Sequence, residues 1–151
     1  MPIPEFIVQI REKIGHDPLW LPSVAAIVLR DSADQSAWAV PDVLLVRRAD
    51  NGEWTPVTGI AEPGEQPHDA AVREVREETG IEATPAAILG AGSVGPITHA
   101  NGDQASYMSV QLRLEPADPA AEPVVGDDES TEVGWFPISR MPVTDPKWRL
   151  A

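Results

Sequence analysis

Between Gln66 and Gly80 the chain reads PHDAAVREVREET, and no other segment constrains the fold as strongly. Pro67 suits a first helical position, where its missing N–H costs nothing. Gln66 can cap the start and Gly80 suits the residue just past the end, so the sequence predicts a helix over Pro67–Thr79. At about 100° per residue, Ala71, Val72, Val75 and Thr79 share an arc that can face a core. Glu74, Glu77 and Glu78 crowd the adjoining arc of roughly 100°. Local physics opposes that crowding. Like charges three or four positions apart repel by about 0.2–0.5 kcal/mol per pair. Acids in the last turn also face the negative end of the helix, at about 0.3–1 kcal/mol each. One explanation is a solvated face in which Arg73 and Arg76 pair with the acids. The other is a hard divalent cation, because magnesium and manganese take carboxylate oxygens and bridge to phosphates. Gly59 and Gly64 in the preceding loop let backbone approach a ligand closely, and a carbonyl there can join a metal shell.

The rest of the chain supplies strands around this helix. Val24–Arg30 and Val43–Arg47 are aliphatic runs bounded by Pro22, Pro41 and Asp31, and their continuous apolar character predicts burial on both faces. Further strands are expected near Ala86–Ala91, Ser106–Leu114 and Thr131–Phe136. Phe6, Ile7, Ile10 and Ile14 recur at helical spacing, and Gly15 and Pro18 stop that helix; residues 1–20 read as a helix and linker. Asp145-Pro146 can open a short terminal helix. Strands interleaved with helices give an α/β class, a sheet covered by helices on both sides. With 151 residues and 16 scattered prolines, residues 1–151 are expected to form a single domain.

Charge and composition exclude several classes. Twenty-four acidic against 11 basic side chains leave a net charge of −13, which argues against holding nucleic acid by phosphate neutralisation. The longest apolar run, Val24–Leu29, is far short of the roughly 20 residues of a membrane helix. The amino terminus lacks a basic start followed by an apolar stretch, and no cysteine is present to form disulfides, thiolate metal sites or a nucleophile. The expectation is a soluble cytoplasmic domain.

Reading from Gly59, five residues lead to Glu65 and seven more to Arg73; then follow Glu74, Val75, Arg76, Glu77, Glu78, Thr79, Gly80 and Ile81. This resembles, at every specified position, the 23-residue signature of the Nudix hydrolases. The resemblance implies a mixed β-sheet sandwiched between helices, an α/β/α arrangement in which residues 59–81 form a loop–helix–loop. It implies hydrolysis, with Mg²⁺ or Mn²⁺, of a pyrophosphate bond in a nucleoside diphosphate linked to another moiety. ADP-ribose or a nucleotide sugar on one hand, and a nucleoside triphosphate on the other, both stay open. Carried over by position, Glu74 and Glu78 resemble the principal metal ligands, with Glu77 beside them and the Gly59 carbonyl as a further ligand. Glu65 and Arg73 resemble the pair that braces loop against helix. The base is either Glu74 or an acid of the downstream GDDESTE loop, Asp128 or Glu129. Glu129 is preferred because a carboxylate fully bound to metal is a poor proton acceptor. One departure stands out: Thr58 occupies a position where many members carry glycine, which implies a differently shaped approach to the loop.

Other candidates are less specific. Arg47 and Arg48 sit at a strand end and can clamp a phosphate. Tyr107, Trp38 and Trp54 can stack on a base, although strand aromatics commonly belong to the core. His16, His68 and His99 form no ligand spacing and read as surface residues. A catalytically idle Nudix-fold module that binds a nucleotide as sensor or scaffold is the competing function; the full carboxylate set argues against it. The expected partner is a nucleotide-derived small molecule, with a homodimer through the isoleucine-rich Phe6–Ile14 helix as a further expectation.

Overall fold

The computed structural model describes residues 3–32 and 39–142. Trp38 and the helix expected at Asp145-Pro146 lie outside them. The chain order is α1 (Glu5–Ile14), β1 (Leu19–Arg30), β2 (Asp42–Arg48), β3 (Trp54–Thr55), β4 (Val57–Ile60), α2 (Pro67–Thr79), β5 (Ala83–Thr98), β6 (Gln104–Pro116), β7 (Ser130–Pro137) and a 3₁₀ turn, Ile138–Arg140. The seven strands form one mixed sheet in the order β3-β2-β1-β6-β5, with β4 added against β1 and β7 against β2. β1 runs parallel to β6, from Leu19 opposite Ala105 to Val28 opposite Leu114. It runs antiparallel to β4, where Val24 faces Gly59 and Ala25 faces Thr58.

Alternation along the central strands distributes two cores. Val24, Ala26 and Val28 of β1, with Leu112 and Leu114 of β6, pack under Ala70, Ala71 and Val75 of α2. Leu21 and Ala105, on the opposite face by the period of two, pack under Ile7 and Phe6 of α1. The sheet is therefore covered by a helix on each side, as expected. Each buried Val or Leu contributes about 1.5–3 kcal/mol of apolar burial. Double burial holds for β2, whose Val43 to Val46 are all buried, with Leu44 and Val46 turned to the α2 side and Val43 and Leu45 to a satellite core. Trp54 belongs to that satellite core, edge-on to Phe136 at 4.9 Å, and is not a stacking platform.

Both helices begin and end where the sequence places them. Gly80 caps α2 at φ 72° and donates to the Arg76 carbonyl; Gln66 stands at the start but makes no side-chain capping bond. On α1, Ile7 is spent on the chain's own sheet while Val8 and Ile10 stay exposed.

Candidate active site

The carboxylates of α2 divide by depth. Glu74 and Glu78, one turn apart, are buried at 0% and 4% exposure. Glu77 is 41% exposed and meets Arg73 at 3.4 Å. The predicted trio is therefore a buried pair with an outlier. Glu74 Oε1 accepts a hydrogen bond from Arg73 Nη1 at 2.9 Å, while Oε2 is buried with no partner among the described residues. That side chain lies flat against Gly59: a Cβ built there would stand 2.2 Å from Glu74 Cδ. Close approach, not a positive φ, is what demands glycine at this position. Thr58 needs no special backbone either, since it lies in β4 opposite Ala25 and no non-glycine residue described has a positive φ.

Arg73 joins the loop to the helix. Arg73 donates from Nε and Nη2 to the two oxygens of Glu65, at 2.7 and 2.9 Å, and from Nη2 to the Ile60 carbonyl at 3.1 Å. Charge-assisted bidentate pairing of this kind holds the Glu65 carboxyl below its ordinary range and raises the guanidinium.

The acidic loop arrives from the other side. Val124 N–H donates to the Thr79 carbonyl and Gly126 N–H to that of Glu78, at 2.9 and 3.0 Å, so two carbonyls at the end of α2 gain partners. Ala49 N–H donates to the Glu129 carbonyl at 2.8 Å and ties the far end of the loop to β2. Carboxylate oxygens of Glu78, Asp127 and Glu129 consequently lie within 4.8 Å of one another. Asp127, not Asp128, joins Glu129 in this group. Asp127 Oδ1 accepts from Glu129 N–H at 3.1 Å, an Asx turn within the loop. Burial first, then the neighbouring Glu74, Glu129 and Asp127, pushes the Glu78 carboxyl up to about 9. Burial likewise raises Glu74 to about 7 against the lowering effect of Arg73.

A recess of about 10 Å³, room for the centre of one water or ion, lies between Glu78, Glu129, Arg48, Thr55 and Thr58. Arg48, Thr55 and Thr58 also line a cavity of about 450 Å³ that runs over Gly59 to Tyr107 and His99, a size suited to a small-molecule ligand. Tyr107 and Arg48 therefore face one space. His99 is exposed, as the sequence reading has it, and also stands on the wall of this cavity, meeting Tyr107 Oη at 2.7 Å through Nε2. Arg48 is held by Asp50 through two hydrogen bonds of 2.9 and 2.6 Å. Arg47 does not line the cavity; it is spent on Glu132 and the Gly52 carbonyl.

A buried unpartnered oxygen of Glu74, and oxygens of Glu78, Asp127 and Glu129 close enough together to share one ion, fit a hard divalent cation, with Arg48 on the wall of the recess beside Glu78 and Glu129. Comparison with known proteins agrees with the architecture. The dihydroneopterin triphosphate pyrophosphohydrolase of E. coli superposes with a TM-score of 0.63 at 21% identity, over 85% of this chain and 89% of that one. A MutT NUDIX hydrolase from Burkholderia pseudomallei gives 0.61 at 23% identity, over 87% and 95%. Among curated proteins, the NAD-capped RNA hydrolase NudC of Pseudomonas putida (strain W619) is 31% identical over 105 residues, 67% of this chain and 34% of that protein. The chain thus spans about a third of the length of that curated relative. The family model of the NUDIX domain matches residues 20–150, and the chain belongs to the Nudix hydrolase family.

Proposed function

We propose that the protein is a Mg²⁺- or Mn²⁺-dependent pyrophosphohydrolase acting on a nucleoside diphosphate linked to another moiety. The observation that carries this reading is the trio of Glu78, Asp127 and Glu129, two of which, Glu78 and Glu129, line a recess that shares Arg48, Thr55 and Thr58 with the larger cavity walled by Tyr107. Glu78 and Asp127 would hold the cation, with Glu74 and the Gly59 carbonyl beside them. A divalent cation there supplies charge neutralisation for the phosphate oxygens and makes a bound water more acidic. The chain's own groups do the rest. Arg48 exchanges Asp50 for a phosphate oxygen and orients the diphosphate. The nucleoside rests against Tyr107 and His99. Glu129, the exposed member of the trio, takes the proton of the attacking water, whereas Glu74 is sealed under Gly59. The water oxygen bonds to phosphorus, the anhydride P–O bond breaks, and the leaving phosphate carries away the electron pair.

Incubation of purified protein with Mg²⁺ or Mn²⁺ and a panel of nucleotide derivatives, with products identified, tests the reading. AMP and a sugar phosphate indicate a nucleotide-sugar substrate; a nucleoside monophosphate and pyrophosphate indicate a triphosphate. Capped RNA belongs in the panel because the relative NudC is an NAD-capped RNA hydrolase, and the net charge of −13 predicts a preference for the small substrates. Tight binding of one nucleotide with no cleavage of any would replace this reading with an idle binding module. A second copy, where one pairs, would seat on Val8 and Ile10, the apolar residues α1 leaves exposed.

A further inference from the structure

The carboxylate trio is split between two elements, and one glycine sets the distance between them. Glu78 belongs to α2, whereas Asp127 and Glu129 come from a segment without regular structure between β6 and β7. Nothing in the sequence of that segment, AEPVVGDDE, drives it to fold alone. It is placed by its contact with the end of α2. Gly126 donates its N–H to the Glu78 carbonyl at 3.0 Å, and its Cα lies so close to the preceding turn that a Cβ would stand 2.0 Å from the Glu77 carbonyl oxygen. Cβ neighbours at 3.0 Å from Glu77 C and 3.1 Å from Glu78 C close the remaining directions. All three atoms are helix backbone, which cannot swing aside as a side chain can. Val124 N–H on the Thr79 carbonyl completes a two-point dock.

We infer that Gly126 is a positioning residue: by allowing backbone-to-backbone contact with α2, it carries Asp127 and Glu129 to Glu78 and so assembles the cation site from two separate elements. The inference rests on the metal-dependent reading above and says how two of the three carboxylates reach the third. Any side chain at 126 lifts the loop from the helix, and the two acids move with it. No buried core residue lies between 115 and 129, and the segment's hold on the α2 core is through Ala121, five positions before Gly126.

Titration of the metal-free protein with Mn²⁺, followed by calorimetry or by the spectrum of free Mn²⁺, reads the assembly without turnover. Gly126→Ala is expected to bind Mn²⁺ about 10–100-fold more weakly, the loss typical of groups that orient metal ligands, with an unchanged circular dichroism spectrum. In a turnover assay the same variant loses kcat while KM stays near wild type, since the cavity at Tyr107 is untouched. Gly92→Ala, where a Cβ meets nothing within 4 Å, is the control and keeps full affinity. Asp127→Asn, which leaves the backbone alone, gives a comparable loss and decides the matter should Gly126→Ala not fold. Wild-type Mn²⁺ affinity in either Gly126→Ala or Asp127→Asn overturns the inference, as does an equal loss in Gly92→Ala. Glu78→Gln separates the two levels: if it too binds Mn²⁺ normally, the metal-dependent reading falls; if it alone loses Mn²⁺, only the role of the loop falls.

Discussion

Gly59→Ala should damage the protein through one contact. The new methyl would stand 2.2 Å from Glu74 Cδ and 2.4 Å from its Oε1, so one of the two must move. Residue 59 cannot retreat easily, because β4 is paired to β1 at Val24. Glu74 is fully buried, so it has no solvent to swing into without disturbing α2. Overpacking costs about 1–3 kcal/mol. Displacing Glu74 also breaks its hydrogen bond from Arg73, worth about 1.5–3 kcal/mol for a charged pair. A loss of about 3 kcal/mol follows, which at about 2–4 °C per kcal/mol for a chain of this size lowers Tm by roughly 10 °C. Urea unfolding of the metal-free protein measures it. The reasoning also fixes a double-mutant outcome. In a Glu74→Ala background the methyl has room, so adding Gly59→Ala should cost at least about 1 kcal/mol less than it does in the wild type. Additive losses, or a loss below about 0.5 kcal/mol in the single variant, would refute the argument that Glu74 is what requires glycine.

Other outcomes follow from the same geometry. Glu78→Gln should cut Mn²⁺ affinity and turnover by orders of magnitude yet leave metal-free stability at neutral pH equal or higher, because an amide removes the cost of keeping a buried carboxyl protonated that the unfolded chain would ionise; calorimetry and melting curves check both. Metal-free protein should lose stability as pH rises. Glu74 and Glu78 hold their protons in the folded state up to about 7 and 9, whereas the unfolded chain releases them near 4.5, so above that value folding binds protons and each step up in pH favours unfolding until the folded carboxyls ionise. Urea titrations from pH 5 to 9 should show this decline, and saturating Mn²⁺ should flatten it; a rise would contradict the burial. Glu129→Gln should lower kcat by about 10²–10⁴-fold, the usual worth of a general base, with a smaller change in Mn²⁺ affinity. An unchanged rate would return the role of base to Glu74.

Much of the fold was legible because its periodicities are strong. α2 is bracketed by Pro67 and Gly80, and β2 is a run of aliphatics long enough to be buried on both faces. β3 and β4 escaped because Pro56 divides them and their strand character comes from partners far along the chain: Thr58 is extended because Ala25 lies opposite. β5 was expected over Ala86–Ala91 but runs from Ala83 to Thr98, its small residues carrying little pattern of their own. At the site, the helix acids were readable from spacing, but depth was not, since a helical wheel cannot show that Glu77 turns to Arg73. Asp127 and His99 were missed because loops bring residues together without periodicity. Arg47 and Arg48 differ by one position in β2, and only the strand's two faces decide which of them reaches the cavity.

The side-by-side run of β1 and β6 in the same direction has a developmental consequence. During synthesis the first strand leaves the ribosome with its neighbour across Leu19–Val28 not yet made, and α2 emerges with two carboxyls still in water that the finished interior will bury. A nascent chain ending before Gln104 would lack both that neighbour and Tyr107, so the cavity and the scaffold beneath it should come into being together, late, and all at once.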